Sequence, residues 1–179
     1  MFPAKPDFTA LTGNDARRKA FGDLQYIAAP VKGNPENISI QGSWARENLC
    51  IIEIPQLIGI AGAPHDGKIQ FHRVASDAIR FFFVELEQLG LLDAIHHWDG
   101  SFCPRFVRGS KTVLSNHTFG TAFDMNAQWN PLGGPAAPDG KLGCLFDIVP
   151  IANKHGFYWG GHYVKRPDPM HFEYSRIPS

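Results

Sequence analysis

Two short stretches constrain the fold more than anything else in the chain: LSNHTFGTAFDMN at residues 114–126 and DPMHFEY at residues 168–174. Each contains the alternation of a strand that rests one face on a core. Ala122, Asp124 and Asn126 share one face of the first, and Thr121, Phe123 and Met125 share the other. In the second, His171 and Glu173 alternate with Phe172 and Tyr174. A straight strand would put His117 and Asp124 on opposite faces, because an odd number of positions separates them. Gly120 lies between them and lets the chain turn, so His117 can approach from a loop while Asp124 points from the strand. Asp168 precedes Pro169, which favours an extended conformation off the strand end.

His117, Asp124 and His171 then make a set of two imidazoles and one carboxylate with a fourth position left for water. That is the donor set of a catalytic zinc ion, not of a closed structural one. Zinc lowers the pKa of a bound water from ~15.7 to ~7, and a nearby carboxylate can take its proton and pass it to a leaving amine. Asp168 is the candidate for that general base and acid. A developing oxyanion also needs a positive partner, for which Arg105 and Arg108, shortly upstream, are the candidates. Taken singly, each His or Asp here reads as a surface or hydrogen-bonded residue; the joint pattern carries the argument.

The 179 residues suffice for one domain with a core of its own. We read residues 1–60 as an N-terminal extension with the first strands and residues 70–175 as the catalytic core. Formal net charge is zero and the basic residues form no block, which argues against nucleic acid as a partner. Cys50, Cys103 and Cys144 are far apart and form no CxxC, so neither a zinc knuckle nor a disulfide framework is indicated. The first residues show no charged-then-apolar leader, and no apolar run reaches the length of a membrane span. The localisation stays open.

The element pattern is mixed. A short helix capped by Thr12 or Asn14 is expected to end at Gly22. Residues 38–44 and 48–57 read as strands, and 59–67 as a loop. Val74, Ala75, Ala78, Ile79, Phe82, Leu86 and Leu89 recur at helical spacing, which predicts a helix over 71–89 closed by Gly90. The run Phe81-Phe82-Phe83 predicts burial of that helix on two sides. Residues 91–107 read as strand interrupted at Asp99-Gly100, 130–140 as a loop, and 148–155 as a helix with Asp147 as its cap. The expected fold is α+β, a small and mostly antiparallel sheet with flanking helices and the metal site at the sheet's edge.

The two motifs resemble a known family. SNHTFGTAFDMN is similar to the Ser-x-His-x-x-Gly-x-Ala-x-Asp signature, and DPMHFE to the second signature, of the D-alanyl-D-alanine carboxypeptidase family of zinc peptidases. The likeness extends through GSFCPRFVRGS and GFYWGG, over roughly residues 70–175. It implies the fold shared by D,D-peptidases and the hedgehog signalling domain. It also implies one zinc ion on His117, Asp124 and His171, with Asp168 as catalytic base where many members carry Glu. Ser115 falls at the signature serine beside the substrate, and the substrate-clamping arginine is expected upstream, at Arg105 or Arg108. The implied substrate is a peptidoglycan stem peptide. Cleavage of D-Ala-D-Ala is the first expectation, with L-Ala-D-Glu endopeptidase activity of the phage-lysin type as the alternative.

Among the remaining residues, His162 next to Gly160-Gly161 is a candidate to line the substrate site. Glu173 follows a ligand on the same strand face, where a supporting role and an ordinary surface role are both open. His65, His72, His96, His97 and His155 read as surface residues, and Cys50 and Cys144 as core. No Ser-x-x-Lys, Gly-x-Ser-x-Gly or His-Glu-x-x-His is present. The competing classes are a non-catalytic, hedgehog-like zinc domain and a Cys–His amidase using Cys103.

Overall fold

Alternation of large apolar side chains with polar ones sets the strands, and each short strand finds an antiparallel partner. The computed structural model describes residues 1–177. In chain order its elements are α1 (Asn14–Phe21), β1 (Gln25–Ala28), β2 (Ile38–Gln41), α2 (Trp44–Asn48), β3 (Leu49–Glu53) and β4 (Lys68–His72). They continue with α3 (Ser76–Gln88), β5 (Trp98–Gly100), β6 (Ala122–Met125), α4 (Val149–Lys154), β7 (Phe157–Trp159) and β8 (His171–Tyr174). Strands β1 and β2 pair, β3 and β4 pair, and the main sheet runs in the order β5-β6-β8-β7. All the pairings are antiparallel. The fold is thus the expected α+β arrangement. No described helix is long and apolar enough to cross a membrane.

The register between β6 and β8 decides what the sheet carries. Phe123 pairs with Phe172 and Asp124 with His171. Residues directly opposite in such a pair project to the same face with Cβ atoms about 5 Å apart. One face therefore joins two aromatic rings, and the other joins a carboxylate to an imidazole. The two metal-type residues sit on the two central strands and not at the sheet's edge as expected. The edge positions belong to β5 and β7, whose Trp98, Phe157 and Trp159 supply core.

On the core face Phe123 is the hub. Its ring stacks on Trp98 at 5.5 Å and on Phe172 at 5.3 Å, with interplanar angles of 15° and 9°. Phe82 of α3 and Phe157 of β7 close around it at 5.6 and 5.2 Å. Ile79, Phe82, Phe83 and Leu86 make the buried stripe of α3, at the three- and four-residue spacing of one helix face. Phe81 is 61% exposed, so the Phe triplet does not bury the helix on two sides. A second cluster, centred on Phe21, Trp44, Leu49 and Phe119, seats α1 and α2 against the loop that precedes β6.

Several boundaries differ from the sequence reading. Residues 68–72 form a strand on β3, with Phe71 opposite Cys50, and α3 starts only at Ser76. Ile69 and Phe71 are buried two residues apart, so strand period overrides the helical spacing there; Val74 and Leu89 are half exposed, at 49% and 54%. Between Leu91 and Val107 only Trp98–Gly100 is strand, and Asp99-Gly100 lies inside it at a register shift. Neither Thr12 nor Asn14 caps α1, whose cap is Gly13. Asn14 is used instead to bridge to residues 112–114, donating to Thr112 O and accepting from Leu114 N, both at 2.8 Å. Asp147 does not cap α4, which begins from Ile148. His72 is core, not surface: its Nε2 lies 3.2 Å from Phe21 O, and burial lowers its pKa.

Removing the hub ring leaves a cavity between both faces of a stack. Phe123→Ala is expected to destabilise the protein by about 3–5 kcal/mol, whereas Phe81→Ser should stay within about 0.5 kcal/mol. Urea unfolding of the two variants beside the parent checks the contrast.

Candidate metal centre

The loop carrying His117 is built by local hydrogen bonds. Ser115 Oγ accepts from His117 N at 3.3 Å and starts a 3-10 turn over Asn116–Phe119. Thr118 Oγ1 donates to Arg105 O at 2.6 Å and accepts from Arg105 N at 2.9 Å, tying the turn to the preceding segment. Gly120 ends the turn at φ +66°. A Cβ there would lie 2.7 Å from Leu49 Cδ2 and 3.2 Å from His72 N, and its carbonyl accepts from His72 N at 2.7 Å. Left-handed backbone and close approach to β4 both require glycine. Through this turn His117 swings over the face on which Asp124 and His171 already stand.

Three donor atoms converge. Asp124 Oδ1 lies 2.9 Å from His171 Nδ1 and 3.2 Å from His117 Nε2, and the two ring nitrogens are 3.1 Å apart. The remaining ring nitrogens define the tautomers. His117 Nδ1 lies 2.6 Å from Ser101 O, a carbonyl that can only accept, and this leaves Nε2 with a lone pair. His171 Nε2 faces Glu173 Oε2 at 3.8 Å, beyond hydrogen-bond reach, where the nearby carboxylate favours a proton on Nε2 over one on Nδ1. Donors held ~2.0–2.1 Å from a tetrahedral ion stand about 3.3 Å apart, close to the spacings here. The residues present therefore fit a small divalent cation.

The electrostatics agree. Burial would raise the Asp124 carboxyl, but the adjacent His117 and His171 rings hold it well below the ordinary carboxylate range. Burial also opposes a charge on His171, yet Asp124, Glu173 and Asp168 push it up to about 10. The cluster calls for positive charge at its centre, and a proton and a metal ion compete for that place.

The donors open on a cavity of about 640 Å³ whose wall includes Asp168, Glu173, Arg105, Arg108, Ser115 and His162. Asp168 is held through its backbone, N to Gly160 O at 2.9 Å and O from His171 N at 3.0 Å. Its buried Oδ1 has no partner among the described residues, and burial raises its pKa, with His171 opposing. Arg108 is bound to Glu36 at 2.7 Å and to Asn34 at 2.8 Å, so its charge is already matched. Among the described residues the Arg105 side chain donates to the neighbouring Phe106 O, at 3.2 Å, and has no carboxylate partner. His162 Nε2 meets Pro3 O at 3.0 Å and its ring packs on Trp159; burial lowers its pKa, so it faces the cavity as a neutral ring.

The sequence reading missed Arg17 and Tyr163, which line the same cavity. Arg17 looked like one more charge on a surface helix, but it is 8% exposed. Its one legible signal is that Phe21 lies four residues on, on the same helix face. Glu173 is buried at 1% exposure beside His171, which excludes the ordinary surface reading.

Gly120→Ala combines left-handed strain with the clash against Leu49. It is expected to cost about 1–3 kcal/mol and to weaken metal uptake by displacing His117, read by urea unfolding and by titration with cobalt(II). An unchanged cobalt affinity would show that the turn does not position the ligand.

Residues 108–174 match a family model described as D-alanyl-D-alanine carboxypeptidase. The matched segment contains all three donors, Ser115, His162 and Asp168, and leaves out Arg105 and Arg17. No curated protein matches the chain, and no solved structure does. The sequence signatures and the match fall on the same residues, and over the segment that builds its site this chain is similar to the D-alanyl-D-alanine carboxypeptidase family.

Proposed function

We propose that the protein is a zinc peptidase that hydrolyses a peptide bond in the stem peptides of bacterial peptidoglycan, with the terminal D-Ala-D-Ala bond as first choice. The observation that carries this reading is the convergence of three lone pairs beside a buried carboxylate with a free oxygen, all on one cavity. His117, Asp124 and His171 would hold the ion. When bound, zinc supplies Lewis acidity to a water and to the scissile carbonyl.

The chain's own groups do the rest. Asp168 takes the proton from the attacking water and returns it to the departing amine nitrogen. Its partial burial makes the carboxylate a stronger base than an exposed one. Glu173, 3.8 Å from His171 Nε2, favours by its charge the tautomer that leaves Nδ1 free. Arg105, unmatched by any described carboxylate, faces the charge that develops on the carbonyl oxygen. Ser115 sets the His117 turn and presents its side chain to the same cavity. The protein acts at the cell wall, by whatever route it is delivered there.

Mass spectrometry of purified muropeptides, incubated with zinc-loaded protein, tests the assignment. Release of terminal D-alanine supports the carboxypeptidase. A cut between L-Ala and D-Glu moves the assignment to an endopeptidase, and intact muropeptides with zinc bound would make this a non-catalytic zinc domain. A chelator is expected to abolish cleavage and a thiol alkylator to leave it unchanged; the reverse would favour Cys103 chemistry.

Asp168→Asn should retain zinc and lower kcat by about 10²–10⁴. The sign of the pH dependence follows from the raised pKa of Asp168. The base works deprotonated, so kcat/KM should fall as pH drops through a value above the ordinary aspartate range. An acid limb at the ordinary position would separate Asp168 from the proton transfer.

A further inference from the structure

The cavity wall is far more basic than the chain as a whole. Lys5, Arg17, Arg105, Arg108, Lys165 and Arg166 line it against Asp168 and Glu173, while the formal net charge of the protein is zero. Most of these cations reach solvent, and Arg108 is matched by Glu36. Arg17 is different. It is more than nine-tenths buried, one Nη donates to Leu114 O at 2.8 Å, and its Nε has no partner among the described residues. No described carboxylate lies within ion-pair distance of it. Glu173, on the same wall, offsets the charge through space without occupying the donors, and both of its own oxygens are also unpartnered.

A guanidinium carries five N–H donors in a planar fork that matches a carboxylate. Left unpaired in a buried position it is costly, and a cavity that keeps one at its wall is a preformed receptor for an anion. We propose that Arg17, delivered by α1 from outside the family-matched segment, receives the free α-carboxylate of the residue that departs through its amine. This rests on the peptidase reading for the identity of the ligand, and it narrows the substrate class. In D-Ala-D-Ala the departing residue ends in a free α-carboxylate. In L-Ala-D-Glu, where the stem continues through the γ-carboxyl, the departing D-Glu also keeps its α-carboxylate free. One receptor therefore serves both candidate bonds and rejects ordinary α-linked peptides, whose departing residue has no such group when the chain continues. Arg105, nearer to Asp168 in charge contact, remains with the reacting carbonyl.

The test is a binding measurement that needs no turnover. Zinc-loaded full-length protein carrying Asp168→Asn is titrated calorimetrically with N-acetyl-D-Ala-D-Ala and with its C-terminal carboxamide. The acid is expected to bind about tenfold to a hundredfold more tightly than the amide, as befits a charge-assisted hydrogen-bonded pair. Adding Arg17→Gln should bring the two ligands to within about threefold, by weakening the acid and sparing the amide. Arg17→Lys keeps the buried charge but loses the fork, so it should retain a reduced preference for the acid even if the Gln variant does not fold. Equal affinity for acid and amide in the protein with Arg17 intact overturns the proposal without any further variant, as does failure to bind either. Equal weakening of both ligands by Arg17→Gln, or a preference unchanged by Arg17→Lys, assigns the residue to packing and also overturns it. Muropeptides left intact alongside a strong acid preference would instead sink the hydrolysis reading and leave the receptor standing.

Discussion

Lone pairs from His117 Nε2, His171 Nδ1 and Asp124 Oδ1 meet within 3.2 Å of one another, and without a positive charge among them they repel. Much of the molecule serves to hold them in place. The β6–β8 register sets Asp124 opposite His171. A glycine-ended turn carries His117 over the pair, Ser101 O takes the outward ring proton of His117, and the Glu173 carboxylate lies 3.8 Å beyond the far nitrogen of His171. The arrangement suits a divalent ion because it is costly for anything neutral.

The core has its own part in this precision. Because side chains alternate along a strand, the residues that face the centre are interleaved with those that stack on the other side of the sheet. Phe123 and Phe172 pair in the same register as Asp124 and His171. A one-residue slip would send the rings to the cavity and the ligands into the core, so the aromatic stack specifies the ligand geometry while contributing stability. The second cluster does the same for the other wall: Phe21 packs near Phe119, which seats α1 and brings Arg17 to the cavity.

How legible the molecule is depends on the range of the forces involved. The helix at 76–88, its glycine stop, the loops around 59–67 and 130–140, and the two motif strands follow from local period and turn chemistry. The errors fall where local signals conflict with pairing. Ile69 and Phe71 fit a helical stripe on paper, but β3 offers them a strand partner. Asn14 has the chemistry of a cap, but residues 112–114 offer it backbone groups. His72 looked like an exposed histidine, yet it fills a gap between Phe21 and Trp44.

By itself the sequence determined the donor types, the need for a turn at Gly120, and the placing of His171 on the last strand with Asp168 just before it. These rest on alternation, backbone permissiveness and the restriction before proline, which operate within a few residues. Only the tertiary structure decided that the donors sit on central strands, that Glu36 pairs with Arg108 while Arg105 has no carboxylate partner among the described residues, and that Arg17 reaches the same cavity from α1. Those outcomes depend on which distant groups compete for one charge in a buried place, and no local pattern records such a competition.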